Sequence, residues 1–210
     1  MNSRGFRIPV ALILCAAIAT AAPDLVSAQA GRQKKQPVIK QPWSRRGQKE
    51  LPQLPELNKK ILAFCETNAG KQVGSGECAA LAEQALREAG AKPHHELTAP
   101  LADMTEEDYV WGQLLQPTDP VLPGDVLQFR NVELKFRFAN GSTYTQSFAH
   151  HTAVVYLTHA PGVFTILQQN VGGPGKTEDQ KRLVQPGRVD VRAMTRGTIW
   201  AYRPVPKQQP

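Results

Sequence analysis

Two regimes of hydrophobic spacing divide the chain. From Glu56 to Asn68 the apolar positions Leu57, Ile61, Leu62, Phe64 and Cys65 recur at helical intervals, and Asn68-Ala69-Gly70 supplies a stop. A glycine-bearing loop follows, Lys71-Gln72-Val73-Gly74-Ser75-Gly76. Glu77 to Ala89 then reads as a strong helix, rich in Ala, Leu, Glu and Gln and closed by Gly90. Its apolar face is Cys78, Leu81, Ala82, Ala85, Leu86 and Ala89. After a loop carrying His94 and His95, the segment Thr105 to Leu115 is expected to open with helical turns capped by Thr105.

Beyond Val121 the period falls to two. Pro123-Gly124-Asp125 is a turn, and Val126 to Phe129 opens a strand in which Leu134, Phe136 and Phe138 go on to alternate with polar residues. Asn140-Gly141 signals a hairpin with Ser142 to Phe148 returning. His151 to Leu157 and Val163 to Gln169 form another apolar pair around Ala160-Pro161-Gly162. A loop from Gly172 to Lys176 precedes short strands near Val189 and from Ile199 to Tyr202. Helices first and an antiparallel sheet afterwards define an α+β domain, with N-terminal helices packed on the sheet.

The front of the chain follows neither regime. Arg4 and Arg7 precede an apolar run from Ile8 to Ala22, then Pro23 and the small residues of Val26-Ser27-Ala28 and Ala28-Gln29-Ala30. The run is shorter than the roughly 20 residues that span a bilayer, so residues 1–28 read as a secretory signal peptide rather than an anchor. The expected setting is therefore exported, periplasmic or extracellular. Cleavage there removes Cys15 and leaves Cys65 and Cys78.

The net charge of +7 is concentrated next to this segment. Arg32 to Lys49 is rich in Lys, Arg, Gln and Pro and holds no acidic residue. Residues 29–50 are expected to be a disordered linker, with 31–50 associating weakly with anionic envelope surfaces. Trp43 is its one aromatic, so no nucleic-acid partner is expected. The folded domain is placed at 51–205 and a tail at 206–210.

In an oxidising compartment Cys65 and Cys78 could pair, but the surroundings of Cys78 point to chemistry. It opens a helix directly after Gly74-Ser75-Gly76, where the helix dipole favours thiolate. Unpaired N–H groups from Gly76 to Cys78 could also hold an oxyanion. A base must come from elsewhere. His150-His151 opens an apolar strand whose neighbours face opposite sides, so one of the two can face Cys78, and His151 is the candidate. Gln168 and Asn170 offer amide oxygens to orient the imidazole. No further cysteine lies at ligand spacing, so no metal and no cofactor is expected.

Four blocks in order resemble the CHAP and NlpC-type peptidases and amidases: Gly74-Ser75-Gly76-Glu77-Cys78, Pro123 to Phe129, His151-Thr152-Ala153-Val154-Val155, and Gln168-Gln169-Asn170. The likeness is greater still to the cysteine-proteinase-fold domain of some eukaryotic cytoskeletal adaptor proteins. It implies a papain-like fold, Cys78 as nucleophile and His151 as general base. Gln168 stands where CHAP domains carry a carboxylate, Glu77 where a glutamine is usual, and Gln72, six residues before the cysteine, is a possible oxyanion donor. The implied activity is exported, thiol-dependent hydrolysis of an amide bond in a peptide or peptidoglycan-like substrate. The alternative is a weakly active or inactive binding module on the same fold.

Overall fold

The computed structural model describes residues 53–173 and 175–208. The expected signal peptide and linker, residues 1–50, lie outside the described residues.

Helix α1 (Glu56–Thr67) buries Ile61, Leu62 and Cys65, the positions that its periodicity picks out. Helix α2 (Cys78–Ala89) buries Leu81, Ala82, Ala85, Leu86 and Ala89 and ends on Gly90, whose φ of 79° needs a residue without Cβ. Each of the four leucine and isoleucine side chains at Ile61, Leu62, Leu81 and Leu86 is fully buried, contributing about 1.5–3 kcal/mol.

The helices cover one face of a six-stranded antiparallel sheet. Its strands are β1 (Gln113–Leu114), β2 (Val126–Arg137), β3 (Thr143–Ala160), β4 (Val163–Gln168), β5 (Gln185–Asp190) and β6 (Met194–Arg203). They lie in the order β1-β6-β2-β3-β4-β5. Alternation along β2 and β3 splits the core in two. Val126, Val154, Tyr156, Trp200 and Tyr202 face the helices, whereas Leu127, Phe129, Val155, Phe164 and Ile166 build a second cluster. The fold is α+β, as the two regimes of spacing imply.

Three expectations change in detail. The returning strand and the histidine strand, expected as two, are one continuous β3. A helical turn, α3 (Glu178–Lys181), carries a Thr177–Gln180 capping box. The helix expected at the start of Thr105–Leu115 is absent. The buried Asp108 carboxylate instead accepts from the Thr105 N–H and hydroxyl and from Arg130, so one turn closes and the chain then runs extended to β1. Burial of Trp111 and the Arg130 anchor override the weak helical preference here.

The turn into β2 is held against α1. Gly124 has φ of 87°, and a Cβ there would lie 2.6 Å from the Asn58 carbonyl oxygen. Asn58, buried in α1, donates to the Pro123 carbonyl at 2.9 Å and to Asp125 at 2.8 Å.

Candidate active site

The sequence that precedes α2 keeps the first amides of the helix open. Glu77 is the N-cap, but its side chain makes no cap bond. The backbone amides of Thr152, Ala79 and Cys78 itself favour the charged form of the Cys78 sulfur. Strand β4 stops at Gln168, so the edge of β3 at Thr152 is open to the helix N-terminus. The Thr152 hydroxyl donates to Gln128 Oε1, which also accepts from the Trp111 indole, tying β3 to β2 and to Trp111.

His151, adjacent to Thr152, is 3% exposed. Its ring stacks on Phe148 at 4.7 Å and leans on Phe129. Its Nε2 lies 2.8 Å from Gln168 Oε1, itself buried. An amide oxygen only accepts, so the neutral imidazole carries its proton on Nε2 and keeps the Nδ1 lone pair. Among the described residues no hydrogen bond joins His151 to Cys78. His151 thus lies with Phe129 and Phe148 on the sheet face opposite the helices, and His150 lies 3.1 Å from Glu107.

Burial pushes the Cys78 thiol above its ordinary pKa; the three amides oppose this and the Glu77 carboxylate adds to it. Burial lowers His151 to about 4, partly opposed by the bond to Gln168. The resting pair is therefore neutral thiol and neutral imidazole. Cys65 is also free, but complete burial raises it to about 12, which leaves it inert. The disulfide considered from the sequence does not form.

The remaining expected residues are held by other partners. Asn170 has φ of 56°, which turns it off the β4 line, and its amide donates to Glu77 Oε2 at 2.5 Å. Two-residue alternation puts it beside Gln168 only if the strand continues, and β4 has ended. Gln72 folds onto its own loop, donating to the Gly74 carbonyl at 3.1 Å. Gly76 has φ of 81° and lies under Arg182, which donates to the Ser75 carbonyl and Glu77 Oε1.

One residue was missed. Gln169, fully buried, accepts from the Val73 N–H at 2.8 Å and donates to the Val73 and Glu77 carbonyls. It clamps the loop that delivers Cys78. Its signal was available: alternation sends it to the face opposite Gln168, toward the helices. Successive glutamines thus serve the two faces of the sheet, Gln168 on the side of His151 and Gln169 on the side of the helices. A cavity of about 820 Å³ lies elsewhere, lined by Leu114, Val121, Phe164, Met194 and Ile199.

The lowered histidine makes the fold acid-sensitive. The unfolded imidazole takes a proton below about 6.5 and the folded one only below about 4, so stability is full above the first value and falls with pH between the two. The expected loss is on the order of 3 kcal/mol. Urea midpoints at pH 7 and 4.5 measure most of it, and His151→Leu should remove this share and leave that of His94, also lowered by partial burial. A midpoint that is flat over this window in the unsubstituted protein contradicts the assignment.

A cysteine at the N-terminus of a buried helix, a histidine on the adjoining antiparallel strand and an amide on the next strand define the papain-like, cysteine-proteinase class of fold. Within it, the chain belongs to the AIM3/BBC1 cysteine proteinase-fold domain family, whose model matches residues 33–209. Altered inheritance of mitochondria protein 3 of Debaryomyces hansenii is 26% identical over 155 residues, which is 70% of this chain and 16% of that protein. The chain thus spans about a sixth of the relative's length. The crystal structure of Ly7917 with the hydrolyzing product of MDP is a looser likeness, at a TM-score of 0.42 and 17% identity, covering 70% of this chain and 62% of that one.

Proposed function

We propose that the domain is a thiol-dependent amide hydrolase, a peptidase or amidase, with Cys78 as nucleophile and His151 as general base. The observation that carries the reading is the buried His151–Gln168 bond of 2.8 Å. It commits the imidazole proton to Nε2 and leaves Nδ1 as a base, one residue along the chain from the amide that faces the sulfur. Because the resting groups are neutral, the thiol passes its proton to Nδ1 as the sulfur attacks the amide carbonyl. Helix-terminal amides at Cys78 and Ala79 offer donors to the oxyanion. The imidazolium returns the proton to the leaving amine, giving a thioester and a free amine. His151 then takes a proton from water, whose oxygen attacks the thioester and releases acid and thiol. With the exported setting expected from residues 1–28, the substrates proposed are envelope peptides, including peptidoglycan-like ones.

A peptidyl electrophile tests this. At neutral pH it should label Cys78 and spare Cys65, as located by peptide mass mapping. A folded, reduced protein that stays unlabelled argues against the enzyme reading.

Specific features favour a second reading, a binding module on the same fold. Burial and the Glu77 carboxylate hold the thiol protonated, and no hydrogen bond links it to His151. Under this reading Cys78→Ser leaves ligand binding intact and Cys78 stays unlabelled.

A further inference from the structure

Gly187 lies on β5 opposite Ile166, one strand beyond the candidate site. Its φ is not among the positive ones, so the backbone there is open to any residue. Glycine inside a strand weakens it, which calls for another reason. The reason is space. A Cβ on Gly187 would lie 2.1 Å from Gln168 Nε2, 3.0 Å from Gln168 Cδ and 3.3 Å from Ile166 Cγ1. The Gln168 amide occupies the volume that any other residue's side chain would fill.

We infer that Gly187 is a positioning residue for the active site: its missing side chain seats the Gln168 amide against His151. An amide end can normally swing away from such a contact. Here it is 2% exposed and its oxygen is bonded to His151 Nε2 at 2.8 Å, so displacement breaks that bond. The freed imidazole can then take the other tautomer, which puts the proton on Nδ1 and removes the base. The inference deepens the proposed function for its kinetic consequence, while the seating of Gln168 stands on geometry alone.

A double-mutant cycle with two readouts tests it. Gly187→Ala should slow Cys78 alkylation at neutral pH by about tenfold, the worth of one hydrogen bond, and Gln168→Ala should do the same. In the Gln168→Ala background, adding Gly187→Ala should change the rate by less than about twofold, because the truncated side chain leaves room for the new methyl. The second readout is the His151 Nε2 proton in NMR spectra, which should be protected in the unsubstituted protein and exchange freely in Gly187→Ala. Equal slowing in both backgrounds, or a retained Nε2 proton signal in Gly187→Ala, overturns the inference. If Gly187→Ala fails to fold, recovery of folding on adding Gln168→Ala supports the clash, and no recovery refutes it. If Cys78 in the unsubstituted protein does not react, the hydrolase reading fails, and the NMR signal still decides the role of Gly187.

Discussion

Replacing His151 with alanine is expected to slow alkylation of Cys78 at neutral pH by about 10²–10⁴-fold, the usual worth of a positioned general base. The size follows from the charge state of the pair. With the thiol above its ordinary pKa and the histidine near 4, thiolate is scarce at pH 7 and the sulfur depends on a base to lose its proton. The unsubstituted protein should therefore show a plateau from about pH 5 upward, falling below about 4 as His151 takes a proton. His151→Ala should lose the plateau and follow free thiolate alone, gaining about tenfold per pH unit. Iodoacetamide rates at Cys78, read by mass spectrometry from pH 4 to 10, separate the two shapes. His150→Ala is the control, since that ring engages Glu107 rather than the site. Superimposable profiles for His151→Ala and the unsubstituted protein would remove His151 from the mechanism.

The parts of this architecture that could be read from the chain are those governed by local rules. Both helices were legible because apolar spacing, a preceding glycine loop and a terminal Gly90 agree with one another. The hairpin at Asn140-Gly141 was legible for the same reason, with Gly141 at φ of 81°. Strand β3 reads as two in the sequence because alternation fails within it. On the neighbouring β2 the inward positions change from Leu127 and Phe129 to Val132 and Leu134 across Asn131, whose φ is 53°. A left-handed residue inside a strand resets the face of everything after it, and nothing in its neighbours announces it.

The site divides along the same line. Cys78, His151 and Gln168 sit on regular elements, a helix start and two neighbouring strands, where chain order leads one to expect them. Gln72 and Asn170 sit on loops, where orientation depends on tertiary partners: the Gly74 carbonyl in one case and Glu77 in the other. Gln169 was overlooked because a polar residue at a strand end is ordinarily read as solvated, whereas here it is buried by the very loop that it holds. Gly187 was invisible without coordinates, since its role is the absence of atoms next to a residue distant in sequence.

Away from the sulfur, Asp125→Ala is expected to cost about 3–5 kcal/mol, the penalty for leaving a buried ionic network without its acceptor. Asp125 is fully buried and accepts from four donor atoms at the turn into β2. Arg203 reaches it through Nε at 3.2 Å and Nη2 at 2.9 Å, the Leu122 N–H at 2.8 Å and Asn58 at 2.8 Å. Burial pushes its carboxyl up, and these donors oppose the shift. Alanine would leave the Asn58 amide with the Pro123 carbonyl alone and the Arg203 guanidinium with that of Pro120. Arg203 is a quarter exposed, so water recovers part of its solvation and the lower end of the range is expected. Because Gly124 and Asp125 also pair with Val155 on β3, loosening this turn frees the strand that carries His151. Guanidinium denaturation of the single variant, and of Asp125→Ala with Arg203→Met, measures the coupling. The double variant should recover stability relative to Asp125→Ala, since it removes the orphaned cation. A single-variant cost below about 1 kcal/mol would mean that the turn is held by apolar packing of α1 instead.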